Sequence, residues 1–309
     1  MTSLHGKLEE YLAVRRAMGF KMERHEKLLA RFAGFLAGNG ETAVTTENAL
    51  AWATLPAAAR PRWHALRLSA VRGFAAWLNA ADPAHQVPPR RLIPYGSRAI
   101  VPYLYSGEEI EALAREAGRL SGPLRAATFQ TLIRLLAVTG MRVGEAIRLD
   151  RGDYDAAAGI LTVRDTKLGK SRHLPLHPTA VTGLNEYLRL CGELMAAPQA
   201  PALLLTARGC RLRCERTWET FHDLTVSAGL KPRSPACRPR IHDLRHSFAV
   251  AALLGWHRSG ADVQAMLPRL SAYLGHPDPR HTCAYLSAAP ELLALAAGRL
   301  QASQEEETR

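Results

Sequence analysis

Ile241 to Leu286 holds the residue types that could do chemistry at closest spacing: Ile-His-Asp-Leu-Arg-His-Ser-Phe at 241–248, Tyr-Leu-Gly-His at 273–276, and Tyr285 nine residues later. His242 and Arg245 lie three apart in a segment of helical periodicity, with Leu244 and Phe248 on one side, so both side chains leave the same helix face. Gly275 is placed to end the next helix, which sets His276 at a helix C-terminus with Pro277 forbidding continuation. Tyr285 then falls in a short helical segment opened by Asp278. Any one of these histidines, taken alone, reads as a packed and hydrogen-bonded core residue. Together, a His, an Arg, a second His and a Tyr at helix ends and faces can converge on one anionic group.

Two earlier segments offer further cations. In Thr-Gly-Met-Arg-Val-Gly-Glu at 139–145, Gly140 closes a buried-looking helix from Pro123 to Thr139, and Arg142 opens a short helix ending near Leu149. Glu145 lies three residues on, which gives either a surface ion pair worth a few tenths of a kcal/mol or a carboxylate that orients the guanidinium for bidentate contact with a phosphate. Ile160 to Arg164 alternates in the strand manner and Arg172 to Leu176 answers it, with Lys167-Leu-Gly-Lys170 at the turn. A lysine at a hairpin tip is commonly only a solvated charge.

The remaining elements must position these groups. Residues 4–18 and 23–38 read as amphipathic helices with Leu4, Leu8, Leu12, Leu28, Phe32 and Leu36 in their apolar stripes. Thr45 or Thr46 caps a third helix through Trp52, and Arg62 to Asn79 gives a fourth, with Phe74 and Trp77 inward and Arg62, Arg67 and Arg72 around its polar side. Residues 1–82 therefore read as an all-helical module. Residues 83–102 carry five prolines with Arg90, Arg91 and Arg98 between them, a composition suited to an extended basic linker. A second domain, 103–300, opens at the capping box Ser106-Gly-Glu-Glu109. Its further helices fall at about 178–193 and 215–228, with a short strand at 203–205. A final helix runs from Pro290 to Leu300, rich enough in Leu and Ala to dock on a neighbouring protomer, with docking on its own domain as the alternative, and an acidic tail follows at 301–309. The fold class is mostly α, with an α+β second domain built on a small sheet.

The chain has 309 residues and a net charge of +12 with pI about 9.9. The first 95 residues hold 13 Lys or Arg against 7 Asp or Glu, half of that excess. An Arg-rich surface of this kind suits a polyanion better than a small molecule. No apolar run approaches the roughly 20 residues that span a bilayer, and the N-terminus lacks a secretory core, so a soluble, cytoplasmic protein is expected. Five unevenly spaced cysteines argue against a disulfide framework, and Cys210, Cys214, Cys237 and His222 match no zinc-knuckle spacing. There is no P-loop or dinucleotide fingerprint.

Arg142, Lys167, His242-x-x-Arg245, Leu-Gly-His276 and Tyr285 together resemble the signature of tyrosine recombinases, the phage integrase family. The likeness extends to the whole chain: a helical core-binding (SAM-like) DNA-binding domain, a basic linker and a mixed catalytic domain. The segment between Arg245 and His276 is longer than in compact Xer-type members and looks like that of transposon- or integrative-element-borne relatives. The resemblance implies site-specific recombination of double-stranded DNA by a homotetramer on two sites, through a 3′-phosphotyrosine and a Holliday junction, without metal or other cofactor. Other recombinases or accessory proteins are implied as further partners. Tyr285 would be the nucleophile, Arg142 and Arg245 the phosphate clamps, Lys167 the acid for the departing 5′ oxygen, His242 the group that moves the tyrosine proton, and His276 a phosphate hydrogen-bond donor. A type IB topoisomerase uses similar residues on one duplex, and an accessory protein could keep the fold without turnover. A covalent protein–DNA adduct separates the enzymes from the accessory reading.

Overall fold

The leucine and aromatic stripes of the first eighty residues become four helices, α1 (Leu4–Ala17), α2 (Glu23–Gly38), α3 (Thr46–Thr54) and α4 (Pro61–Asn79). In this computed structural model the described residues are 3–94, 101–164, 171–195, 198–276, 278, 280–283 and 285. The chain divides into two units, Met1–Arg98 and Ala99–Arg309. The core of the first is the expected stripe: Leu8, Leu12, Leu28, Phe32, Leu36 and Phe74 are buried, and Phe32 meets Trp52 edge-on with ring centroids 5.2 Å apart. Thr45 caps α3 and Asn48 returns the bond, while Pro61 sits in the first turn of α4, where its missing N–H costs nothing.

One expectation for this unit is corrected. Arg67 is buried rather than on the polar side of α4: its guanidinium lies 3.7 Å from the Trp52 ring centroid and donates to the Trp52 carbonyl at 2.5 Å. A flat cation on an aromatic face with a carbonyl at its edge is one of the few ways to bury this side chain. The boundary between the two units falls within the proline-rich stretch 83–102, whose first part, through 94, packs on this unit. Val44 N–H donates to His85 Nδ1 at 3.0 Å, and Arg72 donates to the carbonyls of Pro88 and Pro89 at 2.7 and 2.8 Å. Proline lacks a donor but keeps its acceptor, so a proline run packs wherever donors face it. At the other end Tyr103 and Tyr105 are buried in the second unit. Residues 95–100 lie outside the described residues.

The second unit opens with α5 (Gly107–Ala117), whose Ser106–Glu109 capping box is formed, and α6 (Pro123–Thr139). α6 lies at the centre, packed by α5, by α8 (Pro178–Leu194) and by α10 (Asp243–Arg258), with Leu132, Ile133 and Leu136 buried. The short α7 (Val143–Arg148) follows it. β1 (Tyr154–Asp155), β2 (Ile160–Val163) and β3 (Arg172–Pro175) make an antiparallel sheet in that order, with Val163 opposite Arg172. Residues 165–170, Lys167 among them, lie outside the described residues. The strand expected at 203–205 is instead a buried segment held by isolated bridges, Asp150 to Ala202 and Leu205 to Arg211. α9 (Cys214–Ser227) precedes α10, and the segment after Arg245 resolves into the rest of α10, a four-residue turn and α11 (Val263–Leu274). α12 (Arg280–Cys283) ends two residues before Tyr285. The helix expected at 290–300 and the tail lie outside the described residues. Among those described, no helix is long and apolar enough to cross a membrane.

Candidate active site

α11 ends in a left-handed turn at Gly275, φ +68°. The last carbonyls of a helix have no partner within it and carry the negative end of its dipole. Here three guanidinium groups meet three successive carbonyls. Arg172 Nε donates to Tyr273 O at 2.8 Å, Arg245 Nη2 to Leu274 O at 2.8 Å, and Arg142 Nη2 reaches Gly275 O at 3.4 Å. A Cβ on Gly275 would stand 2.8 Å from Arg172 Nη1, so glycine is needed both for the turn and for the guanidinium lying against it.

Arg142 is the N-cap residue of α7. Its Nη1 donates to Glu145 Oε1 at 2.8 Å and its backbone N–H to Oε2 at 2.9 Å. Glu145, 4% exposed, also accepts from Arg172 Nη2 at 2.8 Å and Nη1 at 3.3 Å. Burial pushes this carboxyl up, but the hydrogen bonds and charge of Arg172, then of Arg142, outweigh it and hold it at about 2. Arg245 is only 2% exposed; its Nη1 donates to Gly140 O at 2.8 Å. Gly140 (φ +59°) makes the left-handed turn that ends α6, and a Cβ there would collide with the Phe248 ring. Burial, then Arg142, lowers Arg245 to about 10, against the charge and hydrogen bonding of the Tyr285 phenol, which raise it. Among the described residues Glu145 is the one carboxylate ion-paired with any of the three arginines. The cluster is therefore cationic, with Arg142 its most open member at 36% side-chain exposure.

Tyr285, 5% exposed, lies between two imidazoles: His276, nearly parallel at 5.9 Å between centroids, and His246, edge-on at 5.3 Å. His246 is in turn edge-on to His242 at 5.2 Å. His276 Nδ1 is 2.7 Å from Thr282 Oγ1, which ties the α11 turn to α12. At the start of α10 the fully buried Asp243 takes a forked bond from Arg240, 2.9 Å on each oxygen, and lies 4.0 Å from His246 Nε2. Burial, then Arg240 and Arg245, lowers His246 to about 4, and burial, then Arg245 and Arg142, does the same to His276. His242 is lowered too, by burial, His246 and Arg245. Its outer edge is exposed, so solvent weakens the burial contribution and the Arg245 charge is the firmer cause. All three imidazoles are neutral near pH 7 and can accept a proton.

Five of the residues singled out from sequence, Arg142, His242, Arg245, His276 and Tyr285, thus surround one small region, while Lys167 lies outside the described residues. Sequence reasoning missed Arg172 and His246. The signal for His246 was present, since it stands four residues after His242 on the same helix face. Arg172 is simply the first residue of a strand, and nothing in its local pattern points at α11. Among the described residues no group of three or more His, Cys, Asp or Glu is arranged to hold a metal ion.

The model of the phage integrase family matches residues 105–291. A Sinorhizobium fredii protein assigned as an integrase/recombinase is 40% identical over all of both chains. The tyrosine recombinase XerC of Mycobacterium tuberculosis is 32% identical over 89% of this chain and 91% of its own. In fold, the chain resembles a lambda integrase solved as a tetramer bound to a Holliday junction, with TM-score 0.58 and 19% identity over 90% of this chain and 79% of that one. The chain belongs to the phage integrase family, the tyrosine-type site-specific recombinases, enzymes that break and rejoin DNA.

Proposed function

We propose that the cluster at the end of α11 is the strand-cleaving site, with Tyr285 as nucleophile. The supporting observation is the gathering of Arg142 and Arg245 on adjoining carbonyls beside the Tyr285 phenol. In the step proposed, the phenol oxygen attacks a phosphorus of the DNA backbone and loses its proton to an imidazole, with His242 assigned that task. The bond from phosphorus to the tyrosine forms as the bond to the 5′ oxygen breaks, and the departing oxygen takes a proton from Lys167. Charge on the non-bridging oxygens grows in the transition state and is met by the two guanidiniums, which are permanently charged and already oriented. His276 hydrogen-bonds the same phosphate. The bond energy stays in the phosphotyrosine, so a free 5′ hydroxyl on another strand can reverse the step and reseal.

The substrate is double-stranded DNA, met by the basic helical unit as a core-binding domain and by the catalytic unit. Exchange between two duplexes requires four strand cuts, and each protomer supplies one nucleophile, so the active assembly is a homotetramer. The fold relative held on a Holliday junction is a tetramer as well. This reading places the enzyme with its DNA in the bacterial cytoplasm. Incubating the protein with nicked fragments tiled from the DNA flanking its own gene should trap protein linked through a tyrosine to a 3′ phosphate, with a free 5′ hydroxyl opposite. Hydrolysed ends, or no linkage on any fragment, would contradict the reading.

A further inference from the structure

We infer that Arg172 is a positioning residue for the proposed cleavage reaction: through Glu145 it fixes the Arg142 guanidinium, and through Tyr273 it ties the root of the Lys167 hairpin to the turn that carries His276. The inference rests on the proposed active site and adds to it a residue that does not touch DNA.

All three nitrogens of Arg172 are committed inside the protein, Nε to Tyr273 O and Nη1 and Nη2 to Glu145. Its side chain is 11% exposed, against 36% for Arg142, so the outward cation is Arg142 and the inward one Arg172. Glu145 would be misplaced without it. A buried carboxylate facing Arg142 alone could swing with that flexible side chain, whereas a carboxylate forked by a second, buried guanidinium has one position and presents one lone-pair direction to Arg142. The backbone N–H of Arg142 on Glu145 Oε2 completes the frame. Arg172 also stands opposite Val163 at the tip end of the hairpin. The paired ends of β2 and β3 are thus anchored to α11, and Lys167 lies five residues before that anchor in the sequence. One side chain links the segments that bear a clamp, an acid and a histidine. The Gly275 turn is built around it, since any Cβ there would collide with its guanidinium.

The test compares full-length wild type with Arg172→Lys, Arg172→Ala, Glu145→Gln and the Arg172→Lys/Glu145→Gln double variant. Three quantities are read: the rate of covalent adduct formation on a nicked duplex from the DNA flanking the gene, the affinity for that duplex, and the side-chain NMR signals of the Arg142 guanidinium in DNA-free protein. Lysine can keep one bond to Glu145 but not the fork, so Arg172→Lys keeps the fold even where Arg172→Ala does not. Its adduct rate should fall roughly 10- to 100-fold, the scale expected of a misplaced catalytic group, with affinity unchanged. The double variant should be no slower than the slower single one, because both act on the same link. In the NMR spectrum, Arg142 should lose its restricted rotation in Arg172→Lys. An unchanged rate, a multiplicative loss in the double variant, or an affinity that falls as far as the rate would overturn the inference. If wild type itself forms no adduct, the proposed function fails, and the DNA-free spectrum still decides: an Arg142 signal unaltered by Arg172→Lys overturns the positioning role.

Discussion

At the scale of single residues the proposed site separates groups that hold from groups that move protons. In the proposed reaction Arg142 and Arg245 hold, and each acts most strongly as charge builds on the phosphate. Arg142→Lys and Arg245→Lys should each slow adduct formation by about 10²-fold or more while DNA affinity changes little; equal losses in rate and affinity would make them ordinary backbone contacts. The proposed acid is tested differently, because Lys170 lies only three residues from Lys167 in the sequence. An alkoxide leaves poorly without a proton and a thiolate leaves readily. Lys167→Ala should therefore be slow on normal DNA and largely rescued when the scissile 5′ bridging oxygen is sulfur, with Lys170→Ala near normal on both. Rescue of Lys170→Ala alone would transfer the role to that residue.

At the scale of elements, the α11 terminus organises the site, because a helix end supplies carbonyls that guanidiniums can share. Gly275→Ala should cost about 1–2 kcal/mol from the left-handed backbone and slow cleavage further by displacing Arg172; a melting temperature and adduct rate like wild type would show that the turn is dispensable. Much of this element was legible in the sequence. Gly140 and Gly275 marked helix ends, and the His242–Arg245 spacing marked a face, since these are local signals written in neighbouring residues. Arg172 was not legible, because its partners lie 27 and 101 residues away and a strand-end arginine has no periodicity to betray them. Burial of Arg67 and the packing of 83–94 escaped for the same reason: composition reports what a side chain prefers, while Trp52 and Arg72 supply the particular partner that overrides it.

At the scale of the whole molecule the cationic cluster makes acid the weak side of the folded state. Relative to ordinary values of 6.5, His246 and His276 are depressed to about 4, and Glu145 is depressed from 4.5 to about 2. In those windows the unfolded chain binds more protons than the folded one, so stability is fully present above about pH 6.5 and falls first as the histidines charge, then as Glu145 protonates below about 4.5. Chemical denaturation from pH 7 to pH 4 should show that decline, and His246→Gln should make it shallower; a flat profile would mean these imidazoles are not depressed. On the proposed function this liability comes with a site that attracts phosphate and holds the nucleophile within it. The most direct measurement of that claim is covalent adduct formation by Tyr285→Phe on nicked DNA from the flanks of the gene. No adduct should form, with binding as in wild type, since one oxygen is removed and little contact area; an adduct that persists in Tyr285→Phe would place the nucleophile elsewhere.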